Sequence, residues 1–172
     1  EGHEVMVFAP EKGVTSYKGA EVVGMKGIPL SVYPEKQITF LQRGILKKLK
    51  EFQPDLIHAV NPVNIGAFGI YSAKRLGVPV VSSYHTNVPA YLRYYRLAWL
   101  EPLCWRYLRW LHNLSELNLC TSSSTLKELR NQGIHRVYLW ERGVNREQFG
   151  PQYATAAMRA RISGGRPEQV VF

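Results

Sequence analysis

Apolar runs short enough for strands alternate along this chain with segments of helical periodicity, and the connections between them are short. That alternation implies βαβ units on a mostly parallel sheet. Leu41, Ile45, Leu46, Leu49 and Phe52 recur at helical spacing, with Arg43, Lys47, Lys48 and Lys50 supplying a polar face. Pro54-Asp55 breaks this helix before a strand, Leu56–Val60, and Asn61-Pro62 turns the chain into a helix from about Ile65 to Leu76 closed by Gly77. The strand Val78–Ser83 follows, then a loop rich in aromatic residues. A further helix begins near Pro102, with Leu100, Leu103, Cys104, Tyr107, Leu108 and Leu111 as its apolar stripe. The strand Leu117–Cys120, a helix from Thr125 to Asn131 and the strand Val137–Trp140 complete the alternation. Thr125 and Glu128 have capping-box spacing, and Gly133 marks the helix stop. Upstream, Val5–Phe8 and Glu21–Met25 read as strands among turn-forming glycines and prolines.

The expected fold is α/β, a Rossmann-like three-layer sandwich. Residues 1–150 are expected to form that domain, and 151–172 a linker and the start of a second one. The chain opens in a strand without a methionine, and Gln169–Phe172 reads as a strand that stops abruptly. Both ends are therefore expected to be cut.

Composition narrows the function classes. Hydrophobic residues make up 45% and charged residues 20% of the chain, which excludes disorder. A net charge of +9 points to an anionic partner: a phosphate-bearing substrate, an anionic lipid surface or nucleic acid. The two cysteines, Cys104 and Cys120, lack metal-ligand spacing and suit a reducing compartment. No apolar run is long enough to span a bilayer, so contact with a membrane would come from the side. Glycine-rich dinucleotide and triphosphate fingerprints, the zinc-protease motif and the nucleophile elbow are all missing, so no metal site is expected.

Ligands of parallel α/β sheets bind outside the carboxyl ends of the strands. His85 falls at such an end, beside Thr86 and Asn87. There an imidazole can hydrogen-bond a sugar hydroxyl or, when charged, stabilise a departing phosphate. Asn61 points to the same crevice, though turn formation alone would explain it. His58 lies inside an apolar strand, where packing is the expected role. Tyr91, Arg93, Arg96 and Trp99 interleave aromatic and basic groups, as do Trp105, Arg106, Arg109 and Trp110 off the predicted stripe. Phosphate binding, base or sugar stacking, a membrane interface and plain packing against a neighbour all remain open for these residues. Gly143, within Glu141-Arg142-Gly143-Val144-Asn145, permits a tight turn or a close ligand approach. Ser122-Ser123-Ser124 suits helix capping better than anion binding.

Taken together, Pro54–His58, Gly77–Val81, Tyr84–Asn87, Cys120–Ser123 and Arg142–Asn145 with Phe149 and Pro151 resemble the amino-terminal half of retaining GT-B glycosyltransferases. The aromatic loop and Trp105–His112 are most similar to the sulfoquinovosyltransferase branch, with lipid α-mannosyltransferases next. The resemblance implies two Rossmann-like domains with the active site between them, the amino-terminal one holding the acceptor. It also implies a nucleotide-sugar donor (UDP-sulfoquinovose), a diacylglycerol acceptor and a peripheral position on the cytoplasmic side of a membrane. No further cofactor and no nucleic-acid partner follow, while the metal requirement stays open. His85 matches the histidine near the donor sugar and phosphates. Asn61, Thr86, Asn87 and Tyr91 are candidate substrate contacts, and so are Arg142, Gly143 and Asn145 in the junction loop. Arg93, Arg96, Trp99, Trp105, Arg106, Arg109 and Trp110 are candidates for the membrane-proximal face. The junction loop of the family usually ends in aspartate, so Asn145 keeps the shape without the charge. A rival of another class is a non-catalytic module that binds anionic lipid or nucleic acid. Since the resemblance places the donor-binding domain beyond Phe172, the isolated 172-residue chain is expected to show no sugar transfer in a radiolabelled-donor assay. Detectable product would refute this.

Overall fold

Residue periodicity carries over into the elements of a computed structural model, which describes residues 2–166 apart from 31, 32, 40–42 and 142. In chain order these are β1 (Met6–Pro10), β2 (Ser16–Tyr17), β3 (Ala20–Met25), β4 (Gly27–Leu30), β5 (Tyr33–Thr39) and α1 (Arg43–Phe52). Then come β6 (Ile57–Val60), α2 (Ile65–Leu76), β7 (Val80–Tyr84), α3 (Val88–Tyr94) and a 3-10 turn at Ala98–Leu100. α4 (Glu101–Asn113), β8 (Leu117–Cys120), α5 (Ser123–Asn131), β9 (Val137–Leu139), a 3-10 turn at Pro151–Tyr153 and α6 (Ala156–Ser163) follow. The expected strand at Gln169–Phe172 lies outside the described residues, as do Leu41 and Arg142. Two compact units divide the chain, Glu1–Trp140 and Glu141–Phe172.

The architecture is α/β. In the first unit, β6, β7, β8 and β9 form a parallel sheet in that order. Crossover helices put each strand's carboxyl end on the same edge. Ala59, Val80, Tyr84, Cys120 and Val137 face a helical layer of α2, α4 and α5, where Ile70, Ala73, Leu108, Leu111 and Leu129 complete the core. Gly77 closes α2 in the left-handed region (φ 70°), its N–H bonding the Ala73 carbonyl. Only glycine adopts that geometry without steric cost.

Upstream, β1 pairs in parallel with β3, and β2 adds antiparallel to β3. A separate antiparallel hairpin, β4–β5, occupies a stretch for which the sequence reading named no strand. Its end is tied to the start of α2, since Asn64 Oδ1 accepts from the Thr39 N–H at 2.9 Å and Asn64 Nδ2 donates to the Thr39 carbonyl at 3.0 Å. Met25, Ile45 and Leu49 join this part to β6 and α2 through Ile57 and Phe68.

Two local expectations are corrected. The N-cap of α5 is Ser122, whose Oγ accepts from the Thr125 N–H at 3.2 Å, so Thr125 stands inside the helix. α4 is rotated from its predicted stripe: Trp105, Leu108, Leu111 and His112 are buried, while Leu103 and Tyr107 face outward. The indole of Trp105 stacks on Tyr84 with centroids 6.5 Å apart, burying more apolar surface than Leu103 would in its place.

His112 is wholly buried. Its Nδ1 bonds Asn118 Oδ1 at 2.7 Å, and Asn118 Nδ2 donates to the His112 and His135 carbonyls. Among the described residues its Nε2 has no partner. Burial lowers its pKa, an effect opposed by the bond to Asn118. The unfolded chain thus binds a proton at His112 more readily than the native one does. The stability held above the ordinary histidine pKa is lost as pH falls toward the folded value. His58, whose pKa is also lowered, acts in the same direction. The melting temperature is expected to drop between pH 7.5 and about 5, and His112→Gln, which keeps a donor for Asn118, is expected to flatten that drop. Calorimetry across the range checks both.

Candidate functional site

At the carboxyl edge of the sheet, β6 and β7 end side by side, with Val60 paired to Ser83. Period-two alternation sends Ser82 and Tyr84 into the helical layer and leaves Ser83 and His85 on the opposite face with His58. Ser83 Oγ lies 2.9 Å from His58 Nε2 and 2.9 Å from His85 Nε2. Trp140, held at the end of β9 by its N–H bond to the Cys120 carbonyl at 2.7 Å, covers both rings. Its indole centroid is 5.8 Å from that of His58 and 6.1 Å from that of His85. His58 is exposed as a residue, yet its ring is partly shielded from water. That shielding, and then repulsion from His85, lowers its pKa, so it is neutral near pH 7. His58 was expected to pack with a backbone hydrogen bond; it packs on Trp140, and its side-chain bond goes to the Ser83 hydroxyl instead. Ser83 and Trp140 carried no sequence signal beyond strand residues.

Asn61 holds this edge in place. Its Oδ1 accepts from the backbone N–H groups of His85 at 2.8 Å and Thr86 at 3.1 Å, and its Nδ2 donates to Thr86 Oγ1 at 2.9 Å. Its backbone is left-handed (φ 47°), a conformation that asparagine tolerates better than most residues. Asn61 and Thr86, expected as substrate contacts, are thus bonded to each other and shape the loop that presents His85.

Asn87 is also structural. It caps α3, with Oδ1 accepting from the Ala90 N–H at 3.1 Å and from the Tyr84 hydroxyl at 3.2 Å. Its Nδ2 reaches the Glu128 carboxylate at 3.1 Å. Burial, assisted by the nearby Glu128 charge, raises the Tyr84 pKa, so this hydroxyl stays protonated and donates. The segment expected as an aromatic loop is in fact this helix, and Tyr91 is exposed on it.

The basic aromatic group divides. Trp105 is only 6% exposed and belongs to the core, which corrects its placement on an outer face. Arg93 forms a two-pronged bond to Glu101 that staples α3 to the start of α4. Arg109 lies along the end of α5, its Nη1 3.4 Å from the Gln132 carbonyl. Arg96, Trp99, Arg106 and Trp110 are exposed, with Trp99 at 74% and Trp110 at 59%, and Tyr94 joins them at 79%.

Of the junction loop, Arg142 lies outside the described residues, and Gly143 and Asn145 belong to the second unit. Asn145 Oδ1 accepts from the Glu147 N–H at 2.9 Å and the Gln148 N–H at 3.3 Å, an Asx turn. A Cβ at Gly143 would meet nothing within 4 Å. Among the described residues no cluster of three or more His, Cys, Asp or Glu side chains could hold a metal ion.

Asn61→Ala removes three hydrogen bonds and leaves two backbone N–H groups without their acceptor. It is expected to cost about 2 kcal/mol in urea unfolding, and Asn61→Asp, which keeps the acceptor, less.

Comparison with known proteins bears on this geometry. Residues 1–148 match the model of Glycosyltransferase Family 4. Sulfoquinovosyl transferase SQD2 of Arabidopsis thaliana is 36% identical over 98% of this chain and 34% of its own length. A GDP-mannose-dependent alpha-mannosyltransferase of Mycobacterium tuberculosis is 33% identical over 96% of this chain and 46% of its own. Alpha-monoglucosyldiacylglycerol synthase of Streptococcus pneumoniae is 31% identical over 55% of this chain and 22% of its own. The chain thus spans less than half the length of these relatives.

Proposed function

This chain belongs to Glycosyltransferase Family 4, and we propose that it forms the acceptor-side wall of an enzyme moving sulfoquinovose from UDP-sulfoquinovose to diacylglycerol with retention. The observation that carries the reading is the His58–Ser83–His85 assembly under Trp140, at the strand edge where α/β folds bind ligands. His85 is the proposed catalytic residue. Its ring hydrogen-bonds a sugar hydroxyl or offsets charge on the departing diphosphate. In the proposed step the anomeric C–O bond breaks toward the diphosphate, which keeps the electron pair. The acceptor oxygen bonds the anomeric carbon from the same face, and its proton passes to a diphosphate oxygen. Arg142, Gly143 and Asn145 are proposed to line the junction with a donor-binding domain.

The lipid acceptor is supported by the exposed group of Tyr94, Arg96, Trp99, Arg106 and Trp110 on α3, the 3-10 turn and α4. Indoles and guanidinium groups together suit a headgroup layer, and the net charge of +9 favours an anionic surface. Among the described residues no helix is long and apolar enough to cross a membrane, which fits peripheral attachment. Sulfoquinovose is favoured by the 36% identity to the sulfoquinovosyl transferase. A second reading, transfer from GDP-mannose, draws on the 33% identity to the mannosyltransferase.

The whole protein, incubated with anionic vesicles containing diacylglycerol and each labelled donor in turn, is expected to label lipid from UDP-sulfoquinovose alone. Label only from GDP-mannose would establish the second reading. His85→Ala is expected to lower turnover on the order of 100-fold; unchanged turnover would remove His85 from the mechanism.

A further inference from the structure

A serine hydroxyl has a single proton, yet Ser83 Oγ stands 2.9 Å from an imidazole nitrogen on either side. Its oxygen could accept from both rings, but with no third hydrogen-bond partner for Oγ among the described residues its own proton is used only if it donates to one ring and accepts from the other, with opposite protonation at the two Nε2 atoms. We propose that His58 is a positioning residue that acts through Ser83 on His85, so that His58 accepts from the Ser83 hydroxyl and His85 donates to it. This inference rests on the functional reading only for the meaning of His85. The relay itself is a property of the first unit.

The direction of the relay follows from the surroundings. His58 comes from the middle of β6, its ring lies beneath Trp140, and its protonation is disfavoured by lost hydration and by repulsion from His85. A neutral His58 with its proton on Nδ1 presents the Nε2 lone pair to the Ser83 hydroxyl. Ser83 then accepts from His85 Nε2–H, whether His85 is neutral or charged. Ser83 is wholly buried, so water does not compete readily for its oxygen. Among the described residues, three groups around His58 bear on its charge. His85 faces it from the end of β7, Trp140 from the end of β9 has no charge, and Glu4 lines the cavity of about 560 Å³ that His58 borders between β1 and β6. The consequence for the site is twofold. The ring of His85 is held by its bond to Ser83, and its tautomer is set by a neighbour that needs no contact with substrate.

Titration of the two rings supplies the test. Repulsion from His85 is one of the causes that hold the His58 pKa down, so removing His85 must raise it. The chain labelled with 15N in its imidazoles is titrated by NMR as wild type, His58→Gln, His85→Gln and Ser83→Ala. Above pH 8 the wild type is expected to show a protonated Nε2 on His85 and an unprotonated one on His58. His58→Gln, which still accepts from Ser83, is expected to preserve the His85 tautomer. His85→Gln is expected to raise the His58 midpoint. Ser83→Ala is expected to abolish the tautomer preference. An unchanged His85 tautomer in Ser83→Ala would overturn the relay, and so would an unchanged His58 midpoint in His85→Gln. Amide spectra establish which variants are folded, and Ser83→Ala and His85→Gln each test the idea alone. None of these readouts depends on sugar transfer, so an inactive protein with linked titrations would sink the functional reading and leave the relay standing.

Discussion

Parallel pairing of β6 with β7 is the constraint on which the rest depends. It ends two strands at one level and brings Val60 beside Ser83. The side chain of Asn61 can then reach across to the backbone of His85 and Thr86. A slip of one residue would turn Ser83 and His85 toward the helical layer and bring Tyr84 out. The candidate site is therefore a consequence of register as much as of residue identity.

The helical layer reinforces that register from the other face. Ser82 bonds Ser115 at 2.6 Å, and Glu116 accepts from the Val80 N–H at 2.7 Å while pairing with Lys74 at 2.8 Å. The exposed ion pair contributes little by itself. Its carboxylate matters because it satisfies a strand-start N–H. Trp105 and His112 bind the same helix to Tyr84 by ring contacts. With α4 anchored on that side, Arg106 and Trp110 stand outward, so one rotation about the helix axis settles both the core and the exposed basic aromatic surface.

Much of the framework was legible in the chain. The helix Ile65–Leu76 with its Gly77 cap and the strand Leu117–Cys120 have the predicted bounds. Glycine caps and short apolar runs are local signals, and local signals survive folding. Less legible were features that depend on a distant partner. The β4–β5 hairpin lacks strong alternation and is secured through Asn64, twenty-five residues beyond Thr39. The stripe of α4 was misplaced because tryptophan and histidine seldom read as core positions until something stacks on them. The helix at Val88–Tyr94 was hidden by its aromatic content, although Asn87 and Pro89 have the residue types of a helix start.

What the sequence determined alone is the α/β alternation, the basic character of the chain, and a histidine at the end of a buried strand. Hydrophobic periodicity and turn chemistry act over a few residues, so they can be read without the fold. Tertiary structure decided what that histidine touches. It placed His58 from one strand and Trp140 from beyond another around Ser83, and it gave Asn61, Thr86 and Asn87 the hydrogen bonds that hold the loop presenting His85. Those roles depend on hydrogen bonds and ring contacts across strands, and no local pattern encodes which strands become neighbours.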